Sequence, residues 1–163
     1  MKRIIGLAIM FSACLSAKSQ LKGFSLGPYV EMAWPTGDFN ISNRNGIGAG
    51  LSADVRLGRI GLTGSAGILR FGGKTVTSNE GPVDMPSITA VPIRIGLKYR
   101  PVPLLYVKLE GGTANYTNSN GNAFILSPGV GLRLLGLDVQ FKYETWMANE
   151  TRSMWGVRAG YNF

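Results

Sequence analysis

The sequence predicts an all-β fold: an eight-stranded antiparallel up-and-down transmembrane β-barrel. Three observations predict it. Apolar side chains recur at every second position through most of the chain, the runs so defined are joined by connections that alternate long and short, and 23 of the 163 residues are glycine, about twice the usual share. Glycine at this level weakens helix interiors, while the accompanying Val, Ile, Leu, Tyr and Trp favour strands. Charged residues make up 16% and hydrophobic ones 45%, the balance of a folded chain.

The first nineteen residues read as an export signal, which leaves 20–163 as one barrel domain. Lys2 and Arg3 form a positive start, and Ile4 to Leu15 is an apolar stretch of 12 residues. Ala17-Lys18-Ser19 then places small residues at the third-last and last positions before a cut after Ser19. The apolar stretch is too short for a spanning helix, which needs ~20 residues. Two alternatives stay open. One is a buried N-terminal helix. The other is a lipobox at Phe11-Ser12-Ala13-Cys14, in which a lipidated Cys14 becomes the mature N-terminus, although Phe11 replaces the usual aliphatic residue there. With the cut after Ser19 the only cysteine leaves with the signal, and no disulfide holds the fold.

Within 20–163, eight runs alternate. The first sets Phe24, Leu26, Pro28, Val30, Met32 and Trp34 against Ser25, Gly27, Tyr29, Glu31 and Ala33. Ile47 to Leu57, Ile60 to Ile68, Val91 to Tyr99 and Leu105 to Glu110 follow the same rule, as do Phe124 to Leu134, Leu137 to Glu144 and Trp155 to Phe163. Pro28, Pro92 and Pro128 fall inside runs, where a missing backbone N–H predicts local bulges. The connections Pro35 to Gly46, Gly72 to Ser87, Asn115 to Asn122 and Ala148 to Arg152 are polar and comparatively long. Gly58-Arg59, Arg100 to Pro103 and Leu135-Gly136 are tight. That alternation is the pattern of outer-membrane barrels with long extracellular loops and short periplasmic turns, and it puts both termini on the periplasmic side.

Alternation does not say which face is inside. A soluble eight-stranded barrel of the lipocalin kind would turn its apolar face inward around a ligand. Three features favour the membrane orientation. The polar face is small and glycine-rich, as a narrow lumen requires. Trp34, Tyr99, Tyr143, Trp155, Tyr161 and Phe163 fall near strand ends, where aromatic girdles meet the membrane interfaces. The chain also ends on an aromatic residue preceded by alternating apolar positions.

That ending, Trp155-Gly-Val-Arg-Ala-Gly-Tyr-Asn-Phe163, resembles the C-terminal strand of outer-membrane proteins. The resemblance implies that Trp155, Val157, Ala159, Tyr161 and Phe163 are read by the barrel-assembly machinery. Pro35-Thr-Gly-Asp-Phe39, Val91-Pro-Ile-Arg-Ile-Gly-Leu-Lys-Tyr99, and Ser127-Pro-Gly-Val-Gly131 followed by Leu137-Asp138 are similar, in that order, to the small Bacteroidetes-type outer-membrane β-barrel family, of the OmpX and OmpA-barrel kind. The likeness covers essentially the whole of 20–163. It implies location and fold, and no single activity.

The polar face carries the chemistry. Arg56, Arg94, Lys98, Lys108, Arg133, Lys142 and Arg158 share it with Glu31, Asp54, Glu110, Asp138 and Glu144. An eight-stranded barrel has room only for side chains or one small ligand, and isolated buried charges are costly, so these groups are expected to pair into a network that closes the lumen. An anion-preferring conduit or small-ligand site is the alternative. Glycines at 48, 50, 61, 67, 96, 129, 131, 156 and 160 on the same face would make room for the long charged side chains.

Composition excludes much else. There is no histidine, so the common zinc sites, histidine-assisted nucleophiles and histidine-ligated haem lack their parts, and no cofactor is expected. Outer-membrane lipid-modifying enzymes that depend on histidine are excluded on the same ground. Gly46-Ile-Gly-Ala-Gly50 lacks the spacing and the following helix of a phosphate loop. Without Lys2, Arg3 and Lys18 the chain keeps 14 basic and 9 acidic residues, a dispersed excess that suits anionic lipid headgroups better than nucleic acid. The longest connection, with Lys74, Asn79, Glu80 and Asp84, is the candidate contact region for an extracellular protein or surface partner.

Overall fold

The computed structural model describes residues 23–78, 81–117 and 121–163; the export signal and Cys14 lie outside them. The elements in chain order are β1 (Phe24–Thr36), α1 (Asp38–Ser42), β2 (Asn43–Leu57), β3 (Ile60–Gly73), β4 (Thr75–Ser78), β5 (Gly81–Asp84), β6 (Ile88–Tyr99), β7 (Leu105–Tyr116), β8 (Asn122–Leu134), β9 (Leu137–Met147) and β10 (Arg152–Tyr161). Eight of the strands close into one barrel in the order β1-β10-β9-β8-β7-β6-β3-β2, with β1 and β10 antiparallel across Met32↔Val157 and Trp34↔Trp155. The predicted eight-stranded antiparallel barrel is therefore the fold. Backbone bonding continues past the last strand, since Asn162 donates to the Gly136 carbonyl (2.8 Å) and Phe163 to that of Leu26 (3.0 Å).

The tight turns follow from their residues. Leu135 and Gly136 both take positive φ, 50° and 89°, as a two-residue turn matched to strand twist requires, and Gly58 takes 70°. Leu135 pays a steric cost there that glycine would not, and it is exposed.

The barrel departs from the expected pattern at its long-loop end. All eight barrel strands extend beyond the predicted runs at this end, and the loop from Gly72 to Ser87 folds into its own two-stranded sheet, β4 against β5. The reason lies in the pleat. Along β3, Ile60, Leu62 and Ile68 point outward while Thr63 and Ser65 are buried, but one step further Arg70 is outside and Leu69 and Phe71 are inside. The strand keeps its direction while its apolar face changes side. Ile125, Trp146 and Met154 join Leu69, Phe71 and Phe39 of α1 in an apolar plug inside this end, with Phe71 edge-on to both Phe39 (4.9 Å) and Trp146 (5.9 Å).

The expected proline bulges are absent. Pairing lapses beside Pro92 and Pro128 on one side of each strand, yet the register is the same before and after, so each proline drops ladder bonds without inserting a residue. Pro28 lies in an unbroken pairing with Leu51. The irregularity of register falls instead between Asn43 and Gly46, opposite Phe71 and Gly73. A Cβ on Gly46 would come 2.5 Å from the Phe71 ring, so the close approach needs glycine.

Candidate functional site: the charged barrel interior

Inward-facing positions on facing walls bring the polar residues together in two tiers. The upper tier, next to the apolar plug, centres on Glu144, which accepts from Arg94 Nε (2.9 Å) and Nη2 (2.7 Å), Lys142 Nζ (2.6 Å) and the Trp146 indole (2.6 Å). Glu31, on β1, accepts from Arg158 Nη2 (3.0 Å) and Nε (3.1 Å) and pairs with Lys142 (2.8 Å) and Arg94 (3.3 Å). Lys108 pairs with Glu110 at 3.2 Å, and Arg158 approaches Glu110 at 4.0 Å.

The lower tier, toward the short turns, is built on two aspartates. Lys98 donates to Asp54 (2.7 Å) and reaches Asp138 (3.5 Å), while Arg133 bridges Asp54 (2.5 Å) and Asp138 (2.9 Å). The Tyr106 hydroxyl donates to Asp138. Two aromatic faces complete the packing: Arg158 lies 4.1 Å over the Tyr29 ring, and Lys98 4.3 Å over that of Tyr106, contacts worth more when desolvated. A cavity of about 10 Å³, room for a single water, is lined by Tyr29, Asp54, Lys98, Arg133 and Asp138 among others.

Eleven of the twelve predicted charges meet in these tiers, and one does not. Arg56 is exposed at the short-turn rim, where its Nε donates to the Gly58 carbonyl (3.1 Å). It is the last inward position of β2 before the turn, so no wall faces it. Tyr29, Tyr106, Gln140 and Ser65 share the polar face by parity, but nothing in their spacing singles them out. Trp146 was hidden by the change of apolar side. The glycines serve these residues too: a Cβ on Gly50 or Gly67 would strike the Tyr29 hydroxyl (2.7 and 2.6 Å), one on Gly131 the Tyr106 ring (2.3 Å), and one on Gly156 Lys142 (3.0 Å).

The terminal strand turns Trp155, Tyr161 and Phe163 to the outside, with Val157 and Ala159 half-buried between them. Trp155 stacks on Phe141 (5.1 Å, 13°) and touches Tyr143 (4.7 Å), beside Trp34 on β1. In the candidate contact loop, Lys74 donates to Asn40 Oδ1 (2.9 Å) and to the Asn40 carbonyl, and Asp84 accepts from Thr75 Oγ1 (2.6 Å). Asn79 and Glu80 lie outside the described residues. Among the described residues no group of three His, Cys, Asp or Glu is placed to hold a metal ion, and no helix is long and apolar enough to cross a membrane.

A closed eight-stranded antiparallel barrel with its ionic groups inside and its apolar side chains outside is the class this fold defines. Solved structures of that class are similar to the chain. The crystal structure of Ail, the attachment invasion locus protein of Yersinia pestis, matches with TM-score 0.61 at 14% identity, over 88% of this chain and all of that one. A de novo designed transmembrane β-barrel matches at 0.57 and 16%, covering 88% and 98%, and the outer-membrane protein Ail of Yersinia pestis in a phospholipid bilayer nanodisc at 0.53 and 16%, covering 87% and 100%. No protein-family model and no curated protein matches the chain.

Proposed function

We propose that residues 20–163 form a non-enzymatic integral protein of the outer membrane, exported by the signal in 1–19, with a lumen closed by its own ion pairs. It works through its long-loop end, in adhesion, envelope integrity or partner docking. One observation carries this reading. The outward side chains of the middle of the barrel are apolar and open, Ile95 at 69% and Ile47 at 67%, while Glu110 and Glu144 inside are fully buried. A soluble barrel would reverse that arrangement, and water would not tolerate an apolar surface of this extent. The dimension also fits: from Phe24 to Trp34 the outward row of β1 covers ten steps of ~3.3 Å, which at ~40° of tilt gives the ~25 Å apolar band of such barrels.

The order of the Pro35–Phe39, Val91–Tyr99 and Ser127–Asp138 segments supports membership of the small Bacteroidetes-type family, and the outward row ending at Phe163 supports recognition by the barrel-assembly machinery. Attachment, which the name of the Yersinia pestis protein states for that protein, is a role a closed barrel can fill through its loops alone. The β4–β5 hairpin, with Lys74 and Asp84 at its base and Asn79 and Glu80 between its strands in sequence, is the contact region in this reading.

Cell fractionation and planar-bilayer recording test it together. The full chain is expected in the outer-membrane fraction as a heat-modifiable band with no steady conductance, and deletion of 75–84 is expected to keep that band while abolishing binding to cells or matrix. Cofractionation with soluble protein would overturn the membrane assignment. Steady porin-sized currents would instead favour the anion conduit, and unchanged binding after the deletion would reject the hairpin.

A further inference from the structure

The surplus positive charge is not spread over the molecule. Inside the barrel six cations face five anions, and at the long-loop end Arg44, Arg70, Lys74 and Arg152 stand with Asp38, Asp84 and Glu150 among the described residues. The short-turn end is different. The β2–β3 turn and the start of the β6–β7 link bring together Arg56, Arg59 and Arg100, and no acidic side chain stands on any of the three short turns. Asp54 and Asp138, one step inside, are already committed to Lys98 and Arg133.

The three arginines are adjacent. Arg100 donates its backbone N–H to the Arg59 carbonyl (2.8 Å), and Arg56 folds back on Gly58 in the same turn. None of the three makes an ion pair among the described residues. Arg100 is only 8% exposed, and its Nη1 is buried without a hydrogen-bond partner. Burial first, then the guanidinium of Arg133, push its pKa down; Asp54 opposes this and Arg56 adds to it. A planar guanidinium in that position is suited to a phosphate oxygen, which accepts its N–H groups and relieves the like-charge crowding. Immediately outside the arginines stand Leu57, Ile60, Tyr99, Val102 and Leu104, all exposed. Phosphate chemistry next to exposed apolar side chains describes a lipid and not a free ion.

We propose that Arg56, Arg59 and Arg100 form a headgroup site for an anionic phospholipid of the leaflet on the short-turn side, with the acyl chains lying along Leu57, Ile60 and Tyr99. The site rests on the reading that the barrel crosses the outer membrane. It predicts an asymmetric protein: one end held by phosphate contacts, the other charge-balanced and free for partners.

The full chain, refolded into nanodiscs of phosphatidylcholine with a minority of phosphatidylglycerol, is released and weighed intact by native mass spectrometry. Wild type is expected to retain phosphatidylglycerol above its share in the disc, and retention is expected to fall about fivefold for each of Arg56→Gln, Arg59→Gln and Arg100→Gln. Arg44→Gln with Arg70→Gln, at the other end, is expected to change nothing, and heat-modifiable migration verifies that each variant is folded. Insertion without a preference, or a preference lost equally in the Arg44/Arg70 variant, would overturn the site alone. Displacement by millimolar inorganic phosphate would overturn the lipid assignment in favour of a phosphate site. Failure to enter the nanodisc would overturn the membrane reading and the site with it.

Discussion

Glu144 accepts four hydrogen bonds from three side chains with no exposure to solvent. A buried ion pair of this kind adds little over an apolar replacement, but removing one partner leaves the others buried and uncompensated. Glu144→Gln keeps the volume and leaves Glu31 alone to face the charges of Arg94, Lys142 and Arg158. It should lower unfolding stability in urea by about 3–5 kcal/mol. Trp146→Phe, which removes one donor and leaves every charge in place, should cost about 1–3 kcal/mol. Equal losses for the two would mean that the indole packing, and not the ion cluster, holds this tier. At the residue scale the sequence made the members of the cluster legible, because parity assigns each charge to a face. It did not make the partners legible, since those depend on which strands face one another across the lumen. Arg56 shows the limit: parity placed it inside, and only the end of the wall puts it outside.

At the scale of strands, the same parity argument failed where the apolar side changes over. Leu69, Phe71 and Ile125 look like breaks in the outward pattern when read along the chain: the predicted run stops at Ile68, and Ile125 interrupts the alternation just inside the run that starts at Phe124. In the folded strands they continue the ladder and fill the barrel above the charges. The glycines mark how tightly the wall is built. A Cβ on Gly112 would lie 1.9 Å from the Ile93 carbonyl oxygen on the neighbouring strand, whereas one on Gly64 would meet nothing closer than 3.7 Å. Gly112→Ala must therefore part β6 from β7, and a loss of about 4 kcal/mol or more, or no heat-resistant band at all, is expected. Gly64→Ala should stay within about 0.5 kcal/mol of wild type. Comparable tolerance at both positions would show that the β6–β7 ladder relaxes, and that lumen glycines serve only to leave space for side chains.

For the molecule as a whole, the question of which face lies inside was open to the sequence only through indirect signs, because alternation is identical for a soluble barrel and its inverted counterpart. The three tryptophans turn that question into a measurement. Trp34 and Trp155 stand on the outer wall, 36% and 44% exposed, opposite one another across β1 and β10, while Trp146 is fully buried inside with its indole on Glu144. In a bilayer, lipid tails touch the first two, and the strand wall separates them from the third. Variants retaining one tryptophan each, with the others changed to Phe, can be refolded into vesicles of lipids brominated on the acyl chains. Emission from Trp34 and Trp155 should be strongly quenched, and that from Trp146 should match its value in unbrominated vesicles. A soluble barrel with an apolar cavity would give no quenching at any of the three. Quenching of Trp146 together with the outer pair would mean that lipid enters the long-loop end, and that the plug formed with Phe39 and Phe71 does not close it.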